Sequence, residues 1–439
     1  MTRRFIQPAA ILATAGIALA AGSCGESTAP DLSCPDLPTA PASARVDLGQ
    51  PSFSNPTNVT NPLFPISQLA RVLLLGSVDG LPLRVETTLL PYTRTIELDG
   101  TEVETLVSQY VAFLDGRILE VALDWYGQAD DGSVWYFGED VFNYEAGVVV
   151  DTDGTWLAGR DGPAAMIMAA NPQVGNVWRP ENICGFVFEE VTVTAAGVTV
   201  NGPRGPVNGA IVVEELHMDT TREDKIFAPG YGEFSTGSGG DLEAVALAVP
   251  TDALPGPTPV ELETLSSRAT SVFDAAQTGD WSAASAAVND MTAAWAAFQA
   301  GGVPPMLDTQ MDGALTALEA AVIATQPAAA RQAAIDVARA SLDLQLRHRP
   351  RAEIDVALID LWVRQIIVDA EADDLAGVLG DIATLKWIRD RIAQDVPYEP
   401  DLKLVDARLG DIRAAARARD LPAAAAAAAR LRETLAGLP

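Results

Sequence analysis

The side chains best suited to binding or catalysis are concentrated in one short segment, residues 124–140. It reads Asp-Trp-Tyr-Gly-Gln-Ala-Asp-Asp-Gly-Ser-Val-Trp-Tyr-Phe-Gly-Glu-Asp, and its ring-bearing ligand candidates are Trp125, Tyr126, Trp135 and Tyr136. Two interpretations are open. The rings either pair between two strands and stabilise a hairpin, or form one wall of an apolar pocket that has Glu139 and Asp140 at its rim.

The carboxylates of this segment are also typical ligands of calcium, which prefers oxygen donors. The candidate ligands are Asp124, Asp130, Asp131, Glu139 and Asp140. Their spacing is not that of an EF-hand loop. Calcium is therefore the weaker alternative, and we predict no resident metal and no cofactor.

Motifs of the common enzyme classes are absent from the sequence. It holds no G-x-S-x-G, no phosphate-binding loop, no Rossmann glycine set and no H-E-x-x-H. The two histidines, His217 and His348, leave little for zinc or a catalytic triad. We assign no catalytic residue, although the abundant acids leave open a hydrolase that uses carboxylates or calcium.

Four segments together resemble an uncharacterised family of bacterial exported proteins. They are 61–65 (Asn-Pro-Leu-Phe-Pro), 124–140, 172–175 (Pro-Gln-Val-Gly) and 228–232 (Ala-Pro-Gly-Tyr-Gly). The resemblance covers most of residues 61–245. It implies export but no activity, because the family has none to transfer.

The amino terminus carries the features of an export signal. Arg3 and Arg4 precede an apolar stretch, and small residues lead to Cys24, as in the lipobox of bacterial lipoproteins. We expect cleavage after residue 23, lipid on Cys24, and a flexible tether over 24–60. The protein would then be a membrane-anchored lipoprotein of the cell envelope, since no second stretch approaches the ~20 apolar residues of a spanning helix.

Cysteine usage fits an oxidising compartment. With Cys24 acylated, Cys34 and Cys184 are left as a pair, and we predict a disulfide between them. The alternative is that Cys184 is a buried free thiol.

The formal net charge is −30. A chain this acidic lacks the basic surface that nucleic-acid binding requires, so we expect no nucleic-acid partner. The acid surplus favours cationic ligands instead.

Residues 61–249 show the alternation and turn chemistry of an antiparallel β-domain. Asp-Gly pairs recur at 79–80, 99–100, 115–116, 131–132 and 153–154, and each is typical of a tight hairpin. The expected strands are 71–75, 81–90, 105–114, 117–125, 133–137, 148–151, 186–194, 198–200 and 210–217. So many short strands predict a meander that curls into a barrel or half-barrel.

A Pro-rich linker over 250–259 separates this domain from an all-α domain over 260–439. The helical pattern predicts eight helices at 260–277, 281–299, 305–325, 327–346, 352–371, 374–393, 401–418 and 421–437. They come in pairs about 47 residues apart, which suggests a helical-hairpin repeat or a bundle. Asp280, Asp374 and Asp420 are the expected N-caps, and the apolar helix from Glu353 should be central.

The fold class expected from these patterns is α+β, with a barrel-like antiparallel domain followed by a helical array. The function we predict is that of a lipid-anchored, non-enzymatic envelope protein. Its β-domain would bind a small apolar or cationic ligand, and its helices would dock an envelope protein partner.

Overall fold

The computed structural model describes residues 37–393 and 399–436. The signal segment, Cys24 and Cys34 lie outside these ranges. Within them, no helix combines the length and apolar character that crossing a membrane requires.

The amino-terminal part forms one antiparallel sheet of fourteen strands. The strands are β1 (Arg71–Val78), β2 (Leu81–Leu98), β3 (Thr101–Leu114), β4 (Arg117–Gln128), β5 (Val134–Glu145), β6 (Val148–Asp151), β7 (Trp156–Leu157), β8 (Ala165–Met168), β9 (Val177–Ile183), β10 (Val187–Gly202), β11 (Gly205–His217), β12 (Arg222–Ala228), β13 (Gly232–Ser238) and β14 (Asp241–Val249). The α+β prediction is confirmed.

Two meanders make up the sheet. Strands β1 to β6 form one and β9 to β14 the other, and the two join where β1 pairs with β14. The short strands β7 and β8 both pair with β5. The sheet curls so far that Glu139 on β5 contacts Glu181 on β9, although nine strands separate β5 from β9 in the pairing order.

Three of the five Asp-Gly pairs form the predicted tight turns, whereas at 131–132 and 153–154 only the glycine has positive φ and no tight two-residue hairpin turn forms. At three hairpins both turn residues have positive φ, with Asp79, Asp99 and Asp115 near 50° and the following glycines between 74° and 78°. A tight primed turn requires this conformation because its twist matches that of the flanking strands.

The predicted flexible tether is wrong for residues 37–60. Phe53 packs its ring 5.2 Å from that of Phe137, and Val59 is fully buried. The backbone N–H of Ala40 donates to Glu190, and Ser54 donates to Asp130. Burial of these apolar side chains, together with the hydrogen bonds, holds the segment on the sheet.

The carboxyl-terminal part consists of eight helices, as predicted. They are α1 (Val260–Thr278), α2 (Trp281–Gln299), α3 (Pro305–Ile323), α4 (Pro327–Gln345), α5 (Arg351–Glu371), α6 (Leu375–Ile392), α7 (Glu399–Arg417) and α8 (Leu421–Ala436). The three N-caps are confirmed, since Asp280, Asp374 and Asp420 each accept a backbone N–H three residues ahead.

The helices cover the outer face of the sheet. On β3, Phe113 stacks against Trp362 of α5 at 5.4 Å, and α5 is buried along most of its length, as its apolar sequence predicts. Beneath them lies a network of buried ion pairs between sheet and helices, which includes Arg71 with Asp355 and Arg84 with Asp343. The sheet and helices therefore share one packed interface, and Asp252 of the linker is buried within the fold.

The tip of the β5–β6 hairpin makes a second contact between sheet and helices. A Cβ at Gly147 would lie 2.3 Å from the backbone N of Gly380 and 2.4 Å from the carbonyl O of Ala376 on α6. Gly100 has the same left-handed backbone, with φ +78° against +77°, but its Cβ would meet open space.

We expect Gly147→Ala to lower the free energy of unfolding by about 2 kcal/mol more than Gly100→Ala does. Both variants bear the left-handed strain of about 1–2 kcal/mol, and only the first also collides with α6. Urea denaturation of both variants measures the difference. Equal losses would mean that the hairpin tip does not contribute to the contact with α6.

Candidate functional site

The curled sheet encloses a cavity of about 230 Å³. Side chains from both meanders line it, together with Phe64, Pro65, Ile66 and Leu69 from the segment before β1. One region of the lining is apolar, with Ile66, Leu69, Val72, Leu74 and Leu83. The remainder includes aromatic rings, several acids and Lys225.

Strand geometry explains why the acids face inward. On β4 the cavity is lined by Glu120, Ala122, Asp124 and Tyr126, every second residue. Successive side chains of a strand point to opposite faces, so the residues between them face the other way.

The aromatic wall comes from the β4–β5 hairpin. Tyr126 and Tyr136 are direct cross-strand neighbours, and their rings stack 4.8 Å apart. Phe64 meets Tyr126 edge-on at 5.1 Å, and the Tyr136 hydroxyl donates to Asp124 Oδ1 at 3.0 Å. The rings therefore border the carboxyl group of Asp124 directly.

Four buried carboxyl groups form what we call the acid end of the cavity: Glu120, Asp124, Glu139 and Glu181. Burial raises the pKa of Glu120 to about 8, helped by Asp124 and Glu243. Burial likewise raises the pKa of Asp124 to about 7, against a hydrogen bond from Tyr136. The pKa values of Glu139 and Glu181 are raised well above the ordinary value, mainly by burial and then by neighbouring acids.

Three carboxyl groups of the acid end, those of Glu120, Asp124 and Glu139, have no cation among their main electrostatic neighbours in the described residues, whereas Lys225 lowers the pKa of the fourth, Glu181. Other acids and Tyr136 are the electrostatic neighbours of Glu120, Asp124 and Glu139. Two lining polar atoms, Ser108 Oγ and Glu181 Oε2, are buried and without a hydrogen-bond partner. Because a buried polar atom without a partner is costly, this end suits a ligand that brings positive charge and hydrogen-bond donors.

Lys225 lines the cavity, and His217 lies next to the lining residues Glu189 and Glu223. Lys225 Nζ lies 2.6 Å from Glu215 Oε2. Burial opposes the charge of Lys225, but Glu215, Glu233 and Glu189 raise its pKa well above the ordinary value. Burial also disfavours charge on His217, yet the neighbouring carboxylates of Glu189 and Glu223 raise its pKa to about 10.

The structure separates the four predicted aromatic candidates. Tyr126 and Tyr136 line the cavity, whereas Trp125 and Trp135 are buried elsewhere. Trp125 lies under the Arg94 guanidinium at 3.8 Å, and Trp135 Nε1 donates to Ser133 Oγ at 2.8 Å. The four rings therefore do not form one wall, because neighbouring residues of a strand face opposite sides.

The weak calcium candidates are also dispersed. Asp130 is exposed and accepts hydrogen bonds from Ser52 and Ser54, and Asp131 accepts from Ser133. Glu139 lines the cavity, whereas Asp140 is half-exposed and pairs with Arg94 at 3.5 Å. Among the described residues, these four do not form a cluster of metal-ligating atoms.

Three of the segments that carried the family resemblance meet at the cavity. Residues 61–65 contribute Phe64 and Pro65, residues 124–140 contribute Asp124, Tyr126, Tyr136 and Glu139, and residues 228–232 contribute Tyr231. Asn61 fixes the first segment by donating to the carbonyls of Gly132 and Ala169, both at 3.0 Å.

Sequence reasoning missed the other cavity acids and set His217 aside. One signal was available, since Glu189-Glu190 and Glu214-Glu215 lie within predicted strands. Consecutive residues face opposite sides, so one acid of each pair must face inward.

Cys184 is disulfide-bonded. Its predicted partner, Cys34, and the predicted lipidation site, Cys24, both lie outside the described residues. The pairing of Cys34 with Cys184 and the acylation of Cys24 therefore stay predictions.

Comparisons with known proteins do not assign this chain to a family or a function. No family model and no curated protein matches the sequence, and no solved structure matches the fold. The function has to be inferred from the cavity itself.

Proposed function

We propose that this chain is a non-enzymatic binding module of the cell envelope, and that its curled sheet takes up a small organic cation with an apolar body. The observation that carries the proposal is the acid end of the cavity, where the buried carboxyl groups of Glu120, Asp124 and Glu139 border aromatic rings and have no cation among their main electrostatic neighbours in the described residues.

The charge of the ligand follows from the carboxyl groups. Asp124 and Glu139 are cross-strand neighbours. Burial raises the pKa of both carboxyl groups, and nearby acids raise that of Glu139 further, while a hydrogen bond from Tyr136 has the opposite effect on each. Removing an ionised carboxylate from water is costly unless it is paired. A ligand cation provides that pairing, and an anion would be repelled.

The chemical class follows from the rings. An ammonium group is attracted to the face of an aromatic ring, and Tyr126 and Tyr136 stand next to Asp124. The apolar lining from Ile66 to Leu83 suits a hydrocarbon portion of the same molecule. Together these features favour an amine with an aromatic or aliphatic body over a bare metal ion at this end.

The size of the cavity limits the ligand. Its volume of about 230 Å³ is the volume that roughly eight water molecules occupy in liquid water, at ~30 Å³ each. This is below the ~300–1,000 Å³ of sites for drug-sized ligands. A small amine fits this volume better than a peptide or lipid does.

Lipid on Cys24 would hold this module at the membrane, and we retain that anchor as part of the proposal. We also retain the docking of an envelope protein by the helical part. Any partner would have to use the surface of the helices that does not cover the sheet.

A hydrolase that uses carboxylates is the second candidate, and the Glu139–Glu181 contact favours it. A buried carboxyl pair with raised pKa values is the arrangement from which general acids are built. The two candidates differ in turnover, because a hydrolase releases products whereas a binding module retains its ligand unchanged.

The test is calorimetric titration of the mature chain without its lipid, made by removing residues 1–23 and replacing Cys24→Ser. The probes are phenethylamine, 2-phenylethanol and phenylacetate at pH 8, which share a ring and differ in charge. We expect the amine to bind at least tenfold more tightly than the alcohol, and the acid not to bind.

Glu139→Gln should weaken amine binding at least tenfold, since it removes one carboxylate from the acid end. Asp140→Asn is the matched control, because this neighbouring residue is half-exposed and does not line the cavity. Equal binding of the three probes, or equal effects of the two substitutions, would overturn the proposal.

A further inference from the structure

A second cluster lies beyond the acid end, on strands β10 and β11. Glu189 is the direct cross-strand neighbour of His217, and Glu215 lies two residues before His217 on the same face. One ligand atom from each of Glu189, Glu215 and His217 lies within 4.8 Å of the others. Because adjacent strands hold all three residues, the cluster is pre-arranged.

We propose that Glu189, Glu215 and His217 bind a divalent transition-metal ion. His217 Nδ1 and Glu189 Oε1 are 3.6 Å apart, which is long for a hydrogen bond. Two ligands on one tetrahedral ion, each at ~2.1 Å, stand about 3.4 Å apart. The spacing is thus close to that of ligands sharing an ion.

The surroundings of the cluster match those of metal ligands. A metal-bound histidine usually donates its other ring N–H to a carboxylate, and His217 Nε2 lies 3.3 Å from Glu223 Oε1. Lys225 Nζ contacts Glu215 Oε2 at 2.6 Å, which leaves the Oε1 atom of Glu215 for the ion.

A fourth residue points to the same place independently. Glu181 is the direct cross-strand neighbour of Glu189 and is 5% exposed. Its Oε2 has no hydrogen-bond partner, and after burial Glu189 is its strongest electrostatic neighbour. A cation at the cluster would provide this orphaned oxygen with a partner.

The donor set selects the kind of metal. One imidazole nitrogen with carboxylate oxygens suits Zn²⁺ or Mn²⁺, whereas Ca²⁺ and Mg²⁺ favour oxygen ligands alone. We therefore expect the site to prefer Zn²⁺ over Ca²⁺ by at least 100-fold.

The test loads the mature, lipid-free chain with Zn²⁺, removes excess metal by gel filtration, and measures bound zinc by mass spectrometry. We expect one zinc per chain. Glu215→Gln and His217→Gln should lower the affinity at least 100-fold, as measured by competition with a zinc-binding dye.

Two matched controls come from the chain itself. Glu214→Gln makes the same change one residue away, where the side chain faces out and pairs with Arg222, and His348→Gln removes the other histidine. Both should retain zinc. Circular dichroism checks that each variant is folded, and Glu189→Gln replaces any variant that is not.

Failure to retain zinc in the unmodified chain, or equal loss in the controls, would overturn the metal proposal. The outcome is separate from that of the amine test. Glu139→Gln should retain zinc while losing the amine, because Glu139 is not one of the three proposed ligands.

Discussion

Asp355→Asn is expected to lower the free energy of unfolding by about 3–5 kcal/mol, the usual cost of breaking a buried ion pair from one side. Asp355 is fully buried on α5. It accepts hydrogen bonds from Arg71 of β1 at 2.7 Å, from Arg391 of α6 at 2.6 Å and from Arg351 at 2.6 Å. Neutralising it leaves three guanidinium groups without their shared counter-ion.

The network around Asp355 explains why the loss is large. Glu86 is the other acid near Arg71 and Arg391, at 3.8 Å and 3.2 Å, and it is also paired with Arg84 at 2.9 Å. Burial opposes ionisation of Asp355, yet Arg391, Arg71 and Arg351 hold its pKa below the ordinary value. No described acid is free to replace it.

Chemical denaturation of the mature, lipid-free chain measures this effect. Glu353→Gln is the control, because Glu353 lies on the same helix, is 55% exposed and pairs with Arg349 at 3.1 Å. An exposed pair contributes about 0–1 kcal/mol. A loss below 1 kcal/mol for Asp355→Asn would mean that the ion network does not hold the helices on the sheet.

Glu120→Gln is expected to stabilise the ligand-free protein by about 4 kcal/mol more at pH 8.5 than at pH 5. The raised pKa of Glu120, about 8 against an ordinary 4.5, comes from burial and then from Asp124 and Glu243. The folded state therefore keeps a proton that the unfolded state releases as the pH rises. Its contribution to stability is complete below pH 4.5 and is lost up to about pH 8, at ~1.4 kcal/mol per pH unit.

Glutamine resembles the protonated acid and does not ionise, so it removes this pH dependence. Denaturation at pH 5, 6.5 and 8.5, without added amine or metal, gives the difference between the two proteins. Glu97→Gln, at an exposed position on β2, should show no such trend. A difference that stays constant over this range would show that Glu120 ionises at an ordinary pKa.

The helices, the longest strands and three of the five Asp-Gly turns were predictable because local rules govern them. The Asp-Gly pairs require positive φ, and their hairpins formed at 79–80, 99–100 and 115–116. The helices begin and end within about two residues of the predicted bounds. Caps such as Asp280 and the apolar periodicity depend only on residues that are close together in the sequence. Strands β7, β8, β9, β12, β13 and β14 were missed. Of these, β7 and β8 have only two and four residues, and β9 carries Arg179 and Glu181 at buried positions, which hides its apolar pattern.

The candidate site was predictable only in part. The sequence predicted that residues 124–140 contribute to ligand binding, and the acidic charge of the chain favoured a cationic ligand. It left unassigned the side of the sheet that each ring faces, so Trp125 and Trp135 were grouped with Tyr126 and Tyr136. Period-two alternation shows that neighbours face opposite sides, but the side that becomes the interior depends on where the helices pack.

By itself, the sequence determined the order of elements, the turn positions, the acidic charge and the predicted export signal, all of which depend on residues close together in the chain. Only the tertiary structure decided that the sheet curls until Glu139 meets Glu181, that residues 37–60 lie on it, and that Glu189 and His217 face each other. Those contacts join residues far apart in sequence. The free energy of these contacts comes from burial and charge pairing in the assembled fold. A pattern of neighbouring residues therefore cannot predict them.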